Sequence, residues 1–262
     1  MPFLNNGETH ASGIKNECNI VSYMIAHPEN LITKELEQSH NSSITEWVHE
    51  GGTKQKKDAS FKLTNGEIFG ISIKNHDGKT NSGSFDWENT TCGVPEELKN
   101  KIIEFKKKYS NTLVNGILRS ELADIFSLYL DNLSSESISV LLDKIYKAEP
   151  DTKYIIINHK KLNELILVNK SNLDEYFNAN HNHHYILKST PKAKTSRQIW
   201  IKTPDGNEMN TNLRVRLLLN NGITALLGQS EKNKSASPCL KIQQDNISGF
   251  IAKCIGKIII KY

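Results

Sequence analysis

The stretch "KKDASFKLTNGEIFGISIKNH", residues 56–76, governs how the most informative residues of the chain are arranged. Two runs of alternating apolar residues flank "TNGE", a pattern typical of a β-hairpin. Because side chains alternate between the faces of a strand, both runs place their apolar residues on one common face. These residues are Ala59, Phe61 and Leu63 on the first strand and Phe69, Ile71 and Ile73 on the second. This register needs an odd number of turn residues, which a three-residue turn around Gly66 supplies.

The opposite face of the predicted hairpin is polar and carries the residues of chemical interest. The same alternation places Asp58 beside Ser72 and Lys74, at the end of the hairpin that lies away from the turn. One interpretation is an exposed aspartate–lysine pair across two strands, which is common on sheets and contributes little to stability. The other is a metal-dependent nuclease site, although the position two before the lysine would then be acidic, and here it is Ser72.

The composition is that of a globular protein with a mild positive charge. The chain has 262 residues, of which 24% are charged and 37% hydrophobic, and its formal net charge is +4. That charge permits a nucleic-acid partner without requiring one. No cysteine pair has the C-x-x-C spacing of a zinc ribbon, and no apolar run approaches the ~18 residues of a membrane span. With no secretory signal at the N-terminus, we expect a cytoplasmic protein with no membrane partner.

The pattern along the chain predicts a mixed α/β fold with a β-rich C-terminal region. Residues 11–26 have the apolar spacing of a helix, and residues 29–57 are polar apart from a short strand, "ITEWVH". Residues 77–95 form a long polar connection, and three helical segments follow before Pro150. Candidate N-caps of the second and third helices are Ser120 and either Ser134 or Ser135. The last third contains most of the predicted strands, among them "RQIWIKT", "NLRVRLLL", "GITALLG" and "CLKIQ".

Residues ahead of Asp58 and on the first predicted helix extend the polar patch. The segment "GGTKQKKD" brings glycines and lysines directly before Asp58: Gly51, Gly52, Lys54, Lys56 and Lys57. Glycines let a backbone approach a phosphate closely, and lysines neutralise its charge. Glu17, four residues after Gly13, could bring a second carboxylate to the edge of the sheet. The ordinary alternatives are a charged loop and a solvated helix face.

Taken in order, these features resemble the PD-(D/E)xK nuclease superfamily. The run "GGTKQKKDASF…ISIKNH" is similar in particular to the MspI-like type II restriction endonucleases, in which a neutral residue also replaces the second acid. The C-terminal "EKNKSASPCLKIQ" resembles the polar loop and strand that close several such enzymes. The resemblance covers residues 11–92 and 228–245 and implies a restriction-endonuclease-like core, a central mixed sheet flanked by helices. It implies a catalytic core with a helical insertion at 1–160 and a DNA-recognition region at 161–262, or one integrated domain.

The resemblance also assigns roles to single residues. Asp58 binds a catalytic Mg²⁺, and Lys74 orients the attacking water and helps to deprotonate it. Glu17 is the candidate for a second carboxylate contact to the metal, directly or through water. Ser72 is a poor ligand for a hard cation, so the resemblance implies that serine acts through water while the Ile73 carbonyl supplies a direct oxygen. The expected products are a 5′-phosphate and a 3′-hydroxyl.

Basic and amide residues in several segments are candidates for DNA contacts. In "NLRVRLLL", Arg214 and Arg216 share one strand face and could read guanine, or could be ordinary exposed arginines. Lysines near the C-terminus fit phosphate contacts better, because such contacts position a protein without reading sequence. The residues that we expect to contact DNA are Lys54, Lys57, His76, Arg197, Arg214, Arg216, Gln229, Lys232, Lys234, Ser235 and Lys241.

The sequence therefore predicts a Mg²⁺-dependent type II restriction endonuclease that cuts double-stranded DNA as a monomer or a homodimer. A cognate DNA methyltransferase is its expected functional partner, without physical association. Two alternatives stay open. One is a repair or structure-selective nuclease of the same superfamily. The other is a non-catalytic DNA-binding protein on a degenerate nuclease scaffold, which the serine at position 72 keeps in play.

Overall fold

The computed structural model describes most of the chain, in nine segments. These are residues 6–50, 57–76, 85–90, 94–147, 152–173, 184–189, 193–230, 235–254 and 256–262, with the backbone alone at 6–12, 85–90, 144–147 and 173. Contacts within the chain divide it into two compact units, and both units are discontinuous in sequence. The first unit comprises Met1–Phe85, Tyr146–Phe177 and Asn246–Tyr262, and the second comprises Asp86–Ile145 and Asn178–Asp245.

The first unit is a mixed six-stranded sheet with helices packed on it. Its helices are α1 (Asn6–Ala26), α2 (Leu31–His40) and α7 (Ile247–Lys253), and a 3₁₀ turn spans Lys170–Leu173. Its strands are β1 (Ile44–His49), β2 (Ala59–Leu63), β3 (Ile68–His76), β5 (Thr152–His159), β6 (Glu164–Asn169) and β11 (Ile258–Lys261). Their order in the sheet is β1-β2-β3-β5-β6-β11. The β3–β5 pair is parallel, and the other pairs are antiparallel.

The second unit contains a five-stranded sheet and most of the central helices. Its strands are β4 (Phe85–Thr90), β7 (His184–Ser189), β8 (Ser196–Lys202), β9 (Glu208–Leu219) and β10 (Pro238–Gln244), in the order β4-β10-β9-β8-β7. Its helices are α3 (Glu96–Tyr109), α4 (Gly116–Asp131), α5 (Ser135–Lys147, which extends just past the division) and α6 (Gly222–Leu226). The four strands from β7 to β10 pair antiparallel.

The predicted hairpin forms with the predicted register. Ala59 pairs with Ile71 and Phe61 pairs with Phe69. Gly66 has a φ of +88°, and its N–H donates to the Leu63 carbonyl at 2.9 Å. A positive φ is costly for other residues, so glycine explains why the turn closes here. The apolar face packs against α1 and α2 in one core, which contains Ile20, Met24, Ile32, Leu36, Phe61, Phe69, Ile71, Ile73, Tyr154 and Ile156.

Several local predictions differ from the structure. The polar region after the first helix contains α2, whose buried stripe is short and includes a threonine: Ile32, Thr33 and Leu36. "GITALLG" is predicted as a strand but begins with the short helix α6, and strand β4 lies within the predicted long connection. The N-cap of α4 is Asn115 rather than Ser120, because its side chain accepts from Ile117 and Leu118. Ser134 is confirmed as the N-cap of α5, since its Oγ accepts from the Ser137 N–H at 3.1 Å.

The division of the chain also differs from the predicted one at residue 160. Helices α3 and α4 belong with the second sheet rather than with the first, and the C-terminal residues return to the first sheet as β11. The coarse class is confirmed: a mixed sheet flanked by helices, and a separate antiparallel sheet formed mostly by the last third of the chain. Among the described residues, no helix has the length and apolar character needed to span a bilayer.

Candidate active site

Asp58 lies where β2 begins, and its carboxylate reaches across to β3. Its Oδ2 atom accepts the Ile73 backbone N–H at 2.6 Å and the Ser72 Oγ–H at 3.2 Å. Its own N–H donates to the Ile71 carbonyl at 3.1 Å. The carboxylate thus occupies the place of a strand partner for β3 beyond the end of β2. Both hydrogen bonds go to the same oxygen, which fixes the side chain with Oδ1 directed elsewhere.

The Ile73 carbonyl leaves the strand on the side where Asp58 lies. In an extended strand, the N–H and C=O of one residue point to the same side, as they do when two paired residues exchange both bonds. The Ile73 N–H points to Asp58, and the Ile71 carbonyl two residues earlier also points to β2. The carbonyl oxygen expected as a metal ligand is therefore on the correct side of β3.

Ser72 and Lys74 share the polar face of the hairpin with Asp58, as predicted. Ser72 is 5% exposed and Lys74 is partly exposed. Within the described residues, the Lys74 ammonium has no ion-pair or hydrogen-bond partner. An aspartate and an uncommitted lysine thus flank the same segment of β3. This arrangement could bind a phosphate and stabilise negative charge near it.

Glu17 is not brought to this patch. Its Oε2 lies 3.1 Å from His49 Nε2, and no other partner of Glu17 is found in the described part of the chain. His49 pairs with Ala59, whose side chain lies in the core beneath α1. Ile71 and Ile73 face the same core as Ala59, so Ser72 and the Asp58 carboxylate that it contacts lie on the other face of the sheet from His49. The predicted contact between Glu17 and the metal therefore has no support in its placement.

Glu50 is a carboxylate that the sequence analysis missed. Its N–H donates to the Asp58 carbonyl at 3.1 Å, just beyond the last residue pair of β1 and β2. Its Oε1 accepts the Ser60 Oγ–H at 2.5 Å and lies 2.8 Å from Lys57 Nζ. Ser60 pairs with Gly70, so its side chain lies on the same face of the hairpin as Ser72. In the sequence, only the alternation of "ITEWVHE" indicated the strand that precedes Glu50. The contact of Glu50 with β2 follows from it only when β1 is known to pair with β2.

The environment of Glu50 keeps its carboxylate ionised. Burial by itself would raise the pKa of Glu50. Hydrogen bonds from Lys57 and Ser60, together with the charge of Lys57, outweigh that effect and hold the pKa below its ordinary value. Glu50 therefore carries a negative charge at neutral pH.

Three residues predicted to contact DNA lie buried or engaged within the protein. His76 is 3% exposed, and its ring centroid lies 4.5 Å from that of His159. Arg197 is also 3% exposed and forms a bidentate pair with Asp131, at 2.7 Å from Nε and 2.9 Å from Nη2. The Gln229 amide donates to the Thr112 carbonyl at 2.7 Å and accepts from the Val114 N–H at 3.3 Å. None of these side chains can reach DNA without leaving its present partners.

Other predicted contacts lie together on the second sheet. Arg214 and Arg216 face away from the buried Leu213, Val215 and Leu217, as the alternation in the sequence predicts. Lys241 on β10 is the direct cross-strand neighbour of Arg216. Arg214 Nη2 lies 2.6 Å from Asp245 Oδ2, and burial raises the pKa of Asp245 even though both arginines oppose that shift. Three cationic side chains thus share one partly exposed sheet face.

The remaining predicted contacts are less informative. Ser235 is exposed just before β10, and Lys57 is held by Glu50. Gly51, Gly52, Lys54, Lys56, Lys232 and Lys234 lie outside the described residues.

No cluster of three or more histidine, cysteine, aspartate or glutamate side chains suited to a metal ion occurs in the described segments. Comparisons with protein-family models, with curated proteins and with solved structures find no match to this chain. The geometry of the β2–β3 hairpin and the resemblance of its residues to a nuclease motif are the features that point to a function.

Proposed function

We propose that the chain is a Mg²⁺-dependent endonuclease that cuts double-stranded DNA at a short specific sequence, in the manner of type II restriction enzymes. The observation that carries the proposal is the hydrogen bond from the Ile73 N–H to the Asp58 carboxylate, one residue before Lys74 on β3. An ordinary aspartate–lysine pair across two strands would explain why both residue types occur on this hairpin. It would not explain an aspartate whose carboxylate hydrogen-bonds to the segment that carries the lysine.

The residues at this site fit Mg²⁺. A hard cation prefers oxygen ligands, and Mg²⁺ commonly takes one or two carboxylates from the protein and completes its shell with water and substrate phosphate. Asp58 Oδ1, which neither hydrogen bond occupies, and the Ile73 carbonyl would hold the ion. The lack of a larger cluster of acidic and histidine side chains in the described segments is compatible with this ligand set. A bound Mg²⁺ would polarise the phosphate and lower the pKa of a bound water.

Lys74 supplies the chemistry that the chain itself provides. In hydrolysis, the water oxygen forms a bond to phosphorus, the bond from phosphorus to O3′ breaks, and negative charge builds on the phosphate oxygens. The water loses its proton to solvent, and the O3′ leaving group takes one up. A lysine ammonium beside the phosphate orients the water and stabilises the developing charge. Asp58 keeps its place through the Ile73 N–H, so the two groups need little rearrangement.

The cationic face of the second sheet supports a DNA partner. Arg214, Arg216 and Lys241 would lie against the phosphate backbone or the base edges, and an arginine that reaches the major groove can donate two hydrogen bonds to guanine. The neighbouring Gln198 and Gln243 pair with Arg214 across the strands on either side of it. Glutamine can donate to and accept from adenine. This face therefore has both the charge and the hydrogen-bonding groups that sequence readout requires.

The test is incubation of the purified chain with unmethylated phage DNA and Mg²⁺, followed by gel electrophoresis. We expect discrete bands that require Mg²⁺ and disappear in excess chelator. A smear would instead support a nuclease without sequence preference. Binding of the DNA without any cutting would contradict the enzyme proposal and favour a DNA-binding protein, the function that Ser72 keeps as the second candidate.

A further inference from the structure

The five-stranded sheet carries two arginines on one face, and their surroundings differ. We propose that Arg214 reads a guanine in the recognised DNA, that Asp245 positions it, and that Arg216 holds the DNA by its charge. The inference rests on the proposed function, because it concerns the DNA that the chain would cut. It adds Asp245 to the residues that determine specificity, and it implies a recognition sequence with an essential guanine.

Asp245 is held beside Arg214 by hydrogen bonds at the end of β10. Its N–H donates to the Asn212 carbonyl at 2.7 Å, and the side-chain amide of Gln244 donates to the same oxygen at 2.9 Å. Asn212 lies two residues before Arg214 on β9 and has a φ of +59°, where the register with β8 shifts. Such a bulge redirects the side chains near it. Asp245 Oδ2 lies 2.6 Å from Arg214 Nη2.

This carboxylate fixes the guanidinium of Arg214. Within the described residues, Asp245 is its only ion-pair partner, and the buried Nε atom of Arg214 has no hydrogen-bond partner. Arginine has five N–H donors in a planar fork, so the ion pair leaves others for a base edge. A fork held in one orientation suits the two hydrogen bonds that guanine accepts. The negative charge of Asp245 also offsets the attraction of Arg214 for phosphates.

Arg216 has different surroundings. It has no ion pair among the residues that the structure describes, and its hydrogen bond from Nη1 to the Gln243 side-chain oxygen is long, at 3.4 Å. Its direct neighbour on β10 is Lys241, a second cation. The direct neighbours of Arg214 are instead two amides, those of Gln198 and Gln243. Adjacent cations suit the phosphate backbone, and an arginine between two amides suits the edges of bases.

A purely structural ion pair between Arg214 and Asp245 would look the same in the free protein. The two roles differ in what each substitution does to DNA binding. Arg214→Lys keeps a positive charge beside Asp245 but removes the planar fork. Arg216→Lys is the matched control, because it makes the same change two residues further along the same strand and on the same face.

The experiment measures binding of the full chain to a library of randomised DNA duplexes in Ca²⁺. Sequencing of the bound fraction gives the sequence that the wild type prefers, whether or not the chain cuts it. Fluorescence anisotropy then compares that duplex with duplexes in which each G·C pair is replaced by A·T. At one guanine, the wild type should lose about tenfold or more in affinity. Arg214→Lys should remove most of this discrimination, and Arg216→Lys should keep it within about twofold of the wild-type value.

Asp245→Asn distinguishes a positioning role from a structural one. Loss of the carboxylate releases the guanidinium of Arg214 and removes a negative charge that repels DNA. We expect discrimination at the guanine to fall by about fivefold or more, while affinity for the A·T duplex rises by about two- to fivefold. A variant that folds poorly would bind both duplexes more weakly, so the opposite signs identify the positioning role.

The outcomes separate this inference from the nuclease proposal. If neither Arg214→Lys nor Asp245→Asn reduces discrimination, the inference is overturned, while Mg²⁺-dependent cutting of phage DNA would still support the nuclease. If Arg216→Lys reduces discrimination as strongly as Arg214→Lys does, the division between the two arginines is wrong. If the wild type selects no guanine from the library, base reading by Arg214 is overturned. The expected losses of discrimination in a chain that never cuts DNA would support the inference and contradict the nuclease.

Discussion

Asp58 has its carboxylate held by two hydrogen bonds from β3, of which the bond from the Ile73 N–H is the shorter. The alternation of apolar residues on both sides of "TNGE" predicted Asp58 beside Ser72 and Lys74, and the hydrogen bond from Ser72 to Asp58 confirms the contact with Ser72. The hydrogen bond from the Ile73 N–H to Asp58 was not predicted, because it depends on where β2 stops and on the rotamer of one side chain. The alternation of side chains predicts which face of a strand a residue occupies. Its contacts also depend on where the neighbouring strand ends.

Ser72→Ala should have a mild effect on cleavage, within about tenfold in kcat/KM. Ser72 donates one hydrogen bond to Asp58 at 3.2 Å, and the stronger bond from Ile73 remains in the variant. The loss of one such bond is worth about 1 kcal/mol. Steady-state cleavage of a short duplex measures the effect. A loss as deep as that of a Lys74 variant would contradict this prediction and give serine a direct role.

Glu50 and Glu17 mark the limit of sequence reasoning at this scale. The choice of Glu17 came from its spacing along a helix, which does not reveal the face of the sheet that the helix covers. Glu50 could be found only by knowing that β1 is the antiparallel neighbour of β2. A local sequence pattern does not state which strands pair, so the contact of Glu50 with Ser60 could not be predicted from it.

At the scale of the element, β8 and β9 show what an alternating strand pattern predicts. It predicts which residues share a face, but not which face another element covers. The alternation in β9 correctly placed Arg214 and Arg216 opposite the apolar residues. Arg197 on β8 was expected to contact DNA, but it lies on the face that packs against α4. A charged residue on the covered face looks the same in sequence as one on the open face. Only the presence of Asp131 on the covering helix distinguishes them.

Asp131→Asn should destabilise the protein in a pH-dependent way. The hydrogen bond from Arg197 holds the pKa of Asp131 below its ordinary value of 3.8, against the opposing effect of burial. The stabilisation is therefore present above pH 3.8 and is lost as the pH falls through the lower pKa of the folded state. At neutral pH we expect a loss of about 1–2 kcal/mol in the free energy of unfolding, a modest value because Asp131 is half exposed.

Urea denaturation of wild type and Asp131→Asn at pH 7 and near pH 3 measures this difference. The difference in the free energy of unfolding between the two proteins should be larger at pH 7 than near pH 3. Asp124→Asn is the control. Asp124 lies on the same helix as Asp131, but its partner, Lys194, is exposed. A difference in the free energy of unfolding that does not change with pH would contradict the stabilising role of the ion pair between Asp131 and Arg197.

Lys241→Ala should weaken DNA binding without changing stability. Lys241 neighbours Arg216 on the partly exposed face of the second sheet, where we expect it to contact a phosphate. Loss of one such contact should make the negative slope of log K against log salt concentration shallower by about 1. Fluorescence anisotropy over a salt series measures the slope. Lys202→Ala, at the exposed end of β8, is the control. Equal slopes for wild type and Lys241→Ala would exclude the phosphate contact.

At the scale of the whole molecule, the sequence predicted the class but not the division of the chain. A central mixed sheet and a β-rich last third follow from strand and helix patterns, and both are present. The discontinuous units were missed because each strand or helix was assigned to the unit of its neighbours in sequence. Strand β11 returns to β6 over about ninety residues, and no local pattern encodes such a pairing.

The assignment of the β2–β3 hairpin as the cleavage site of a nuclease is tested by comparing cleavage by three variants with cleavage by the wild type. Asp58→Asn keeps an oxygen for the Ile73 N–H but removes the charge, and Lys74→Ala removes the ammonium. Lys62→Ala is the control, because Lys62 is an exposed lysine on the same face of the same hairpin. DNA binding in Ca²⁺ and the thermal unfolding midpoint are measured alongside.

We expect Asp58→Asn and Lys74→Ala each to lose at least about a hundredfold in the rate of cleavage, while they still fold and bind DNA. Lys62→Ala should cut at the wild-type rate. Wild-type cleavage that persists in both Asp58→Asn and Lys74→Ala would contradict the claim and locate the active site elsewhere in the chain.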